Sequence, residues 1–467
     1  MNGANTVQNT GKTSNQKRLP VAPALCRFAQ IFEEHGKKAY LAGGAVRDIL
    51  LKKKACDWDI ATDASPQEVM AMFKTVIPTG IKHGTVTVLY KGASIEVTTF
   101  RTEADYRDGR RPERVEFAAT IEEDLSRRDF TMNAMALSLP DGRLVDPFGG
   151  ALDIKNQIIR CVGSPPERFS EDGLRPLRAL RFASTLGFSL EAALLDAIKQ
   201  CLDVTAMVSM ERVQSEFEKM LRSPRPQTAL EAMRQTGLLK LLLPELDACV
   251  GVLQKGYHRF DVWTHSVLAC AYAAAQNMSL EVRLAALLHD IGKPETARLN
   301  ENGVWTFYNH EKVSAKKSRA LLSKLRFDNQ TIEKVVHLIE EHMFHYEDEW
   351  SDAAVRRFII RVGEENLEAL FALRAADSAG TAGVPPDPRS MQEFLRRIER
   401  VREKSSALSI KKLAVNGHDL MAIGVPAGKS VGIILKLLLE AVLEDPALNT
   451  REKLLEIAKK TMENKLT

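Results

Sequence analysis

The sequence predicts an α+β protein of several domains, in which a small mixed α/β domain is followed by a longer all-helical part. The 467 residues suffice for about three domains of ~150 residues, each with its own core. Strand-like and helix-like segments alternate up to residue 150, and helical periodicity takes over from residue 151. We therefore predict a mixed α/β head in residues 20–150, a helical neck in 151–244, and further helical domains in 245–380 and 381–467.

The composition is that of an ordinary soluble protein, with 45% hydrophobic and 27% charged residues. The net charge is only +4, but arginines cluster at 107–114, 127–128 and 175–181, so a basic surface for nucleic acid would be local. The six cysteines form no CxxC pair, which favours reduced thiols and a cytoplasmic location. Residues 1–18 are polar and are predicted to be a disordered arm. No apolar run approaches the ~20 residues of a membrane helix, so no membrane partner is expected.

The first informative stretch is residues 40–51, where an apolar, strand-like run ends at Gly43-Gly44. Two glycines allow a tight turn and a close approach of the backbone to a bound group. A short helix is predicted over 45–51, and its free N–H groups together with Arg47 would attract a phosphate. A pair of glycines alone is more often only a turn, so this interpretation depends on the residues that follow.

Two carboxylates follow in the segment 57–60, DWDI, which is predicted to be a strand. Residues two apart on a strand point to the same side, so Asp57 and Asp59 are expected to lie next to each other. Such a pair repels unless a cation lies between the carboxylates, which predicts a divalent metal site facing the glycine turn. Glu96, in a predicted strand over 94–100, would complete the site as a third carboxylate. Glu96 could equally well be an exposed strand residue with no role in the metal site.

The order of these motifs, GGAVRD followed by DWDIAT, resembles the class II CCA-adding tRNA nucleotidyltransferases and the related bacterial poly(A) polymerases. The resemblance implies that the head is a nucleotidyltransferase domain. It implies that Asp57, Asp59 and Glu96 are catalytic and hold magnesium, and that Gly44 and Arg47 bind the nucleotide. It also implies tRNA as a partner and CTP and ATP as substrates.

Two further segments of the head resemble motifs of this family. The polar passage 101–128 contains a run from Asp105 to Pro112 that resembles the flexible loop of members that add adenosine. Residues 127–134, RRDFTMNA, resemble the second family motif and suit a helix that presents Arg128 to a triphosphate or ribose. Adjacent arginines are otherwise typical of a solvated face.

The segment 171–182 carries an arginine at every third position, at residues 175, 178 and 181, beside a matching row of leucines. A helix would place this cationic stripe next to an apolar one. Three cations on one helix face repel each other unless anions are present. Intramolecular pairs with Glu171 and Asp172 and a bound polyanion are the two explanations.

The family resemblance extends to this segment and implies a role for each polar residue. Asp172 would accept from, and Arg175 would donate to, the Watson–Crick edge of cytosine or adenine, so that the protein replaces a template. Cytosine and adenine both carry an exocyclic amine beside an acceptor ring nitrogen, whereas guanine and uracil do not. Arg178 and Arg181 are then expected to bind the triphosphate.

A second candidate site consists of histidines and acids between residues 245 and 380, in the order typical of HD-type phosphohydrolases. The resemblance implies four ligands for a divalent ion, which are His265, His289, Asp290 and Asp377. Extra ligands for a second ion would be His310 and His342. A domain of this kind is either an active hydrolase or a scaffold, and both alternatives stay open.

Together these features predict metal-dependent, template-independent addition of CCA to the 3′ end of tRNA, with release of pyrophosphate. The segment 381–467 resembles the tail of the family and is expected to bind tRNA. Two alternatives of the same class remain, an enzyme that adds only A and a poly(A) polymerase. An HD-domain phosphohydrolase with a degenerate head and a non-catalytic RNA-binding module are the alternatives of other classes.

Overall fold

The computed structural model describes residues 18–53, 58–103, 115–254, 259–346, 349–384, 389–404 and 410–463. The chain forms two compact units. The first consists of residues up to Met220 together with Thr228–Leu242, and the second of Leu221–Gln227 together with residues from Leu243 onward. Asp57, most of the predicted N-terminal arm and the centre of the polar passage lie outside the described residues.

The head is built around one mixed sheet. The strands of the head are β1 (Ala39–Ala42), β2 (Asp59–Thr62), β3 (Val76–Gly80), β4 (Thr85–Tyr90), β5 (Ala93–Thr99), β6 (Arg101–Glu103), β7 (Val115–Phe117), β8 (Ala136–Leu139) and β9 (Leu144–Val145). Seven of them form a sheet in the order β3-β4-β5-β2-β1-β8-β9, and β6 pairs with β7 separately. Within the sheet β2 and β5 run parallel, and the other neighbours are antiparallel. The predicted mixed α/β head is thus confirmed.

Four helices accompany this sheet in the described part of the head. They are α1 (Pro23–Glu34), α2 (Gly44–Leu50), α3 (Pro66–Met72) and α4 (Ile121–Ser126). Helices α3 and α4 begin at capping boxes, in which Ser65 or Thr120 accepts a backbone hydrogen bond and the glutamate three residues later bonds back to the cap. The local sequence therefore determines where these two helices start.

The helix that was expected to present Arg128 does not form, and this prediction is wrong. Helix α4 ends before Arg128, Thr131–Asn133 is a single 3₁₀ turn, and the next residues enter β8 between β1 and β9. Ala136 and Leu137 are fully buried. A strand buried on both faces has an uninterrupted apolar run, which periodicity cannot distinguish from a buried helix.

The antiparallel pairing of β1 with β2 brings the two main motifs of the head together. Leu41 is the Cα partner of Ile60, so the end of β1 and the start of β2 lie at the same edge of the sheet. An apolar cluster that includes Phe100 and Leu125 packs against both strands. The glycine turn that follows β1 is therefore held beside Asp59, the first residue of β2.

Helices dominate from residue 150 to residue 247. They are α5 (Gly150–Asn156), α6 (Pro165–Glu171), α7 (Arg175–Leu186), α8 (Ala192–Gln200), α9 (Leu202–Ala206), α10 (Met210–Leu221), α11 (Pro226–Thr236), α12 (Leu238–Leu242) and α13 (Pro244–Asp247). A small parallel pair, β10 (Ile158–Ile159) with β11 (Ser189–Leu190), is an exception. Pro176 is the second residue of α7, where its missing N–H costs no hydrogen bond.

The rest of the second unit is also helical. Its helices are α14 (Val262–Ala275), α15 (Leu280–Leu288), α16 (Lys293–Thr296), α17 (His310–Lys324), α18 (Asn329–Glu341), α19 (Asp352–Val362), α20 (Leu367–Ala382), α21 (Arg389–Lys404), α22 (Gly417–Ala422), α23 (Lys429–Glu444) and α24 (Arg451–Glu463). One hairpin, β12 (Arg298–Leu299) with β13 (Trp305–Thr306), interrupts them. Helix α14 packs against α15 and α20, and α17 packs against α18. Among the described residues, none of the helices combines the length and the apolar character that crossing a bilayer requires.

Candidate functional site

The first unit contains a cleft of about 690 Å³ between the sheet edge, α2 and α7. The residues predicted for the first site that line it are Gly44, Arg47, Asp59, Glu96, Arg128, Asp172, Arg175, Arg178 and Arg181. Residues more than 130 positions apart in the chain thus share one cavity. Asp57 lies outside the described residues.

Asp59 and Glu96 occupy adjacent positions on the parallel strands β2 and β5, where they are Cα partners. Both side chains are exposed, whereas their strand neighbours Ile60 and Val97 are buried on the other face. Like charges placed directly opposite each other in a sheet are destabilising unless a counter-charge is present. The pair is therefore suited to hold a divalent cation, for which carboxylate oxygens are preferred ligands.

The glycine turn brings the backbone against the guanidinium of Arg128. Gly43 has φ +72°, and a Cβ at this position would lie 2.5 Å from Nη1 of Arg128. Arg128 Nη2 also donates to Asp124 Oδ2 at 3.3 Å, and Nη1 donates to the Asn133 carbonyl at 3.4 Å. Only glycine combines this backbone conformation with the space that Arg128 occupies.

Arg47 reaches from α2 into the cleft and is oriented by two polar partners. Its Nε donates to Asp48 Oδ1 at 2.9 Å and its Nη1 donates to Asn133 Oδ1 at 2.8 Å. The planar guanidinium is thereby held in one orientation, which suits recognition of a phosphate.

Arg178 is held by a buried carboxylate that the sequence analysis did not single out. Asp129 Oδ2 accepts from Arg178 Nε at 2.8 Å, and Asp129 Oδ1 accepts from Asn133 Nδ2 and the Phe130 N–H. Burial raises the pKa of Asp129, but Arg178 and these hydrogen bonds outweigh it and hold the pKa below its ordinary value. Asp129 is thus a fixed anion that keeps Arg178 charged and in place.

Arg181, one turn further along α7, has a corresponding partner on α10. Its Nε donates to Glu216 Oε2 at 2.5 Å, and its Cζ lies 3.9 Å from the centre of the Phe182 ring. Burial lowers the pKa of Arg181, and Glu216 opposes that shift. Helix α10 therefore positions a residue of the cleft.

Asp172 and Arg175 both line the cleft but also bind other parts of the protein. Asp172 accepts from Arg212 Nη2 at 2.8 and 3.0 Å, and its Oδ1 accepts from the Leu174 N–H at 3.0 Å. Arg175 forms an ion pair with Glu171 and donates to the carbonyls of Arg168 and Arg127. The intramolecular pairing that was one explanation of the arginines thus occurs for Arg175 with Glu171, whereas the partner of Asp172 is Arg212.

The four residues that the sequence analysis missed are Asp129, Asn133, Arg212 and Glu216. Asp129 and Asn133 lie inside the RRDFTMNA segment, where only Arg128 was given a role. The partners in three pairs are 35 to 49 residues apart in sequence, so no local pattern pointed to them. The cleft thus joins exposed carboxylates at one end to a row of anchored arginines, an arrangement suited to a metal-bound polyphosphate.

The second unit brings the predicted histidines and acids into one buried cluster. His265 Nε2 lies 3.0 Å from His289 Nε2, 3.3 Å from Asp290 Oδ2 and 3.3 Å from Asp377 Oδ1. His310 Nε2 lies 3.3 Å from Asp290 Oδ1. Two groups of ligand atoms have metal-site spacing and share Asp290, the first with His265 and His289 and the second with the extra ligands His310 and His342.

The imidazoles in this cluster are held with one nitrogen turned inward. The Nδ1 atoms of His289, His310 and His342 lie 3.0, 2.8 and 2.7 Å from the backbone carbonyls of Ala286, Phe307 and Ile339. A carbonyl can only accept, so each Nδ1 carries the proton and each Nε2 keeps its lone pair for a ligand.

The charges in the cluster also suit a cation. Burial raises the pKa of Asp290, but His289 and Lys293 outweigh it and hold the pKa well below the usual range. Burial lowers the pKa of His342 to about 3. Within the described part of the chain, the oxygens of Asp290 and the Nε2 of His310 are buried without a hydrogen bond, although Lys293 Nζ lies 2.7 Å from Asp290 Oδ2. Ionised carboxylates beside imidazole nitrogens are a donor set that fits a divalent metal.

Three family models match the chain. The model for the Poly A polymerase head domain matches residues 39–160. A model described as a probable RNA and SrmB-binding site of polymerase A matches 187–250, and one described as a putative domain 2 of tRNA nucleotidyltransferase matches 299–458.

Relatives of similar length align over nearly the whole chain. The CCA-adding enzyme of Geobacillus stearothermophilus is 36% identical over 440 residues, which is 93% of this chain and 96% of that protein. The CCA-adding enzyme of Geobacillus thermodenitrificans is 37% identical over 440 residues, with the same coverage of 93% and 96%.

Solved structures show the same fold. The CCA-adding enzyme of Bacillus stearothermophilus in complex with CTP has a TM-score of 0.73 at 31% identity, and the match covers 95% of this chain and all 100% of that one. The Thermotoga maritima CCA-adding enzyme complexed with tRNA has a TM-score of 0.58 at 22% identity, over 94% and 96% of the two chains.

Proposed function

The chain belongs to the family of CCA-adding enzymes, and we propose that it adds C, C and A to the 3′ end of tRNA from CTP and ATP without a nucleic-acid template. One observation carries the proposal, which is that the carboxylates of β2 and β5 share a single cleft with the arginines of α7. Relatives bound to CTP and to tRNA support the same substrates. Cytoplasmic location remains a prediction from the sequence.

In the proposed reaction the 3′-oxygen of tRNA attacks the α-phosphorus of CTP or ATP, and the bond to pyrophosphate breaks. Asp59 and Glu96, with Asp57, would hold magnesium. Magnesium, when bound, lowers the pKa of the attacking hydroxyl and neutralises charge on the departing pyrophosphate. Arg47, Arg128, Arg178 and Arg181 would bind the triphosphate, for which their guanidinium groups are already oriented.

Base selection is proposed to lie with Asp172 and Arg175. Cytosine and adenine each offer a donor to the carboxylate beside an acceptor for the guanidinium. Neither guanine nor uracil presents that pair of groups in the same order. Because the two residues belong to the protein, no template strand is required.

An extension assay separates this function from its rivals. The substrates are tRNA ending before CC, tRNA ending before A, and an unrelated RNA, each with CTP, ATP or both. We expect full CCA on the first tRNA when both nucleotides are present. Extension of only the second tRNA would instead indicate an A-adding enzyme, and long A tails on the unrelated RNA would indicate a poly(A) polymerase.

Replacement of Gly43 with alanine should lower stability and weaken CTP binding. The positive φ should cost ~1–3 kcal/mol of unfolding free energy, and the clash with Arg128 should weaken CTP binding by about tenfold because a charged hydrogen-bond donor is displaced. Gly36→Ala is the matched control, since Gly36 has φ +69° and no atom within 4 Å of the added Cβ. Urea unfolding and equilibrium CTP binding measure the two effects. Equal CTP affinities in the two variants would contradict the role of this close approach.

A second activity is favoured by the buried cluster, and we propose a divalent-metal phosphohydrolase site in the second unit. A cleft of about 680 Å³ opens onto this cluster. The residues lining this cleft include Asp290, Lys293, His310, His342, Arg374 and Asp377. Arg374 donates to Asp377 Oδ2 at 3.0 Å and so orients this proposed metal ligand. Arg374 also lines the cleft in which a phosphoryl group would lie. A bound divalent ion there would supply a Lewis acid for phosphoester hydrolysis.

His289→Ala tests this site separately from nucleotide addition. We expect the Mn²⁺ affinity of the second unit to fall by at least ~10- to 100-fold. Replacing a residue that only hydrogen-bonds to a metal ligand already lowers metal affinity by that factor. Hydrolysis of p-nitrophenyl phosphate should be lost, while CCA addition continues at the wild-type rate. His418→Ala removes an exposed histidine and serves as the control. A wild-type protein with neither Mn²⁺ binding at His289 nor hydrolysis would show that the cluster is a scaffold.

A further inference from the structure

The ring of Phe182 is surrounded by three guanidinium groups that belong to two helices. The Cζ atoms of Arg181, Arg47 and Arg178 lie 3.9, 5.2 and 5.7 Å from the ring centre. Phe182 is 5% exposed and lines the cleft of the first unit. A single aromatic ring is thus in contact with all three of these arginines.

Each of the three arginines also donates hydrogen bonds to polar partners. Arg47 donates to Asp48 and Asn133, Arg178 to Asp129, and Arg181 to Glu216. Asn133 donates to Asp129 and so links the partners of Arg47 and Arg178, whereas Glu216 holds Arg181 separately. Phe182 contacts all three guanidinium groups, including that of Arg181.

The face of an aromatic ring attracts a guanidinium, most strongly where water is excluded. The carboxylates of Asp48, Asp129 and Glu216 offset part of the repulsion among the three cations, and the negative face of the ring offsets a further part. An apolar side chain of similar size would fill the same volume without this attraction. The three guanidinium groups would then be positioned by their hydrogen-bond partners alone.

We propose that Phe182 is a positioning residue, which holds Arg47, Arg178 and Arg181 at the spacing of a triphosphate through cation–π contacts. This inference rests on the proposed nucleotidyl transfer. It assigns Phe182 to the phosphates and not to the base, because the three arginines in contact with the ring are those proposed to bind the triphosphate. Loss of the ring should therefore lower the affinities for CTP and for pyrophosphate by the same factor and leave base selection unchanged.

The test compares Phe182→Leu with Phe182→Tyr by equilibrium binding of CTP, CMP and pyrophosphate, and by steady-state kinetics. We expect Phe182→Leu to lower the affinity for CTP and for pyrophosphate by about tenfold. It should raise KM for CTP more than it lowers kcat. CMP binding and the CTP-over-UTP ratio should stay within about twofold of wild type, and Tyr should restore phosphate binding because it keeps the ring.

Phe130→Leu is the matched control for loss of packing. The Phe130 ring is fully buried and stands edge-on to Phe182, with centres 5.8 Å apart. The described residues show no guanidinium over Phe130, so this variant should lose stability to urea without losing pyrophosphate affinity.

The outcomes distinguish this inference from the function on which it rests. Wild-type protein that binds neither CTP nor pyrophosphate would overturn the proposed function itself. Wild-type binding that Phe182→Leu leaves unchanged would overturn the positioning role alone. Phe182 would be only a packing residue if Phe182→Tyr failed to restore the pyrophosphate affinity. The same would follow if Phe130→Leu lost that affinity as well.

Discussion

Asp59→Asn should lower kcat for CTP addition by at least ~10³-fold, since stabilisation of the transition state by a bound metal is worth several kcal/mol. Asparagine keeps the shape of aspartate but removes the charge that faces Glu96 across the parallel strands. The affinity for tRNA should stay within about twofold of wild type, because the substitution removes no cation from the protein. Single-turnover extension and a tRNA binding titration measure the two quantities.

Asp141→Asn is a suitable control for this experiment. Asp141 is a half-exposed carboxylate in a turn of the head, and it is not among the residues that line the cleft. It should retain full activity. The sequence predicts the same loss for Asp57→Asn as for Asp59→Asn. An Asp59→Asn enzyme that adds CTP at the wild-type rate would remove Asp59 from the metal site.

Asp172→Ala should reduce the preference for CTP over UTP by about 10- to 100-fold, because a bidentate contact to a base edge is worth ~1–3 kcal/mol of discrimination. The structure adds a condition to this prediction. Arg212 donates to both oxygens of Asp172, so the carboxylate must share its lone pairs between Arg212 and the base. A carboxylate offers about four lone-pair sites, which is enough for both partners.

The ratios of kcat/KM for CTP against UTP and for ATP against GTP measure this selectivity. Asp203→Ala, which removes an exposed carboxylate from α9, is the control and should leave both ratios unchanged. If Asp172→Ala slows all four nucleotides by the same factor, Asp172 has a structural role and base selection lies elsewhere.

The sequence predicted the elements whose evidence is local. Strand β4 is rich in β-branched residues, and helix α3 begins with a serine cap followed by proline, so the local sequence specifies both elements. Strand β8 was not, because its apolar run carries no alternation and its position between β1 and β9 depends on pairing with β1, almost 100 residues earlier. The sequence could therefore predict the fold class, but it could not predict strand β8 or its place in the sheet.

The same distinction applies to the candidate site. The residues of the cleft were found because their motifs resemble a known family, but their partners were not. Asp129 stands next to Arg128 in sequence, yet its hydrogen bond is to Arg178, 49 residues later. The contact of Glu216 with Arg181, 35 residues earlier, depends on how α10 packs against α7. Such pairs follow from tertiary packing and leave no periodic pattern in the sequence.

The most direct test of the central claim is a crystal structure of this protein with CTP and magnesium. The claim is that the carboxylates at the start of β2 and the arginines of α7 bind one nucleoside triphosphate. The account predicts the α-phosphate beside Asp59 and the cytosine edge within hydrogen-bonding distance of Asp172 and Arg175. CTP bound outside this cleft, or bound in it with the base turned away from Asp172, would contradict the claim.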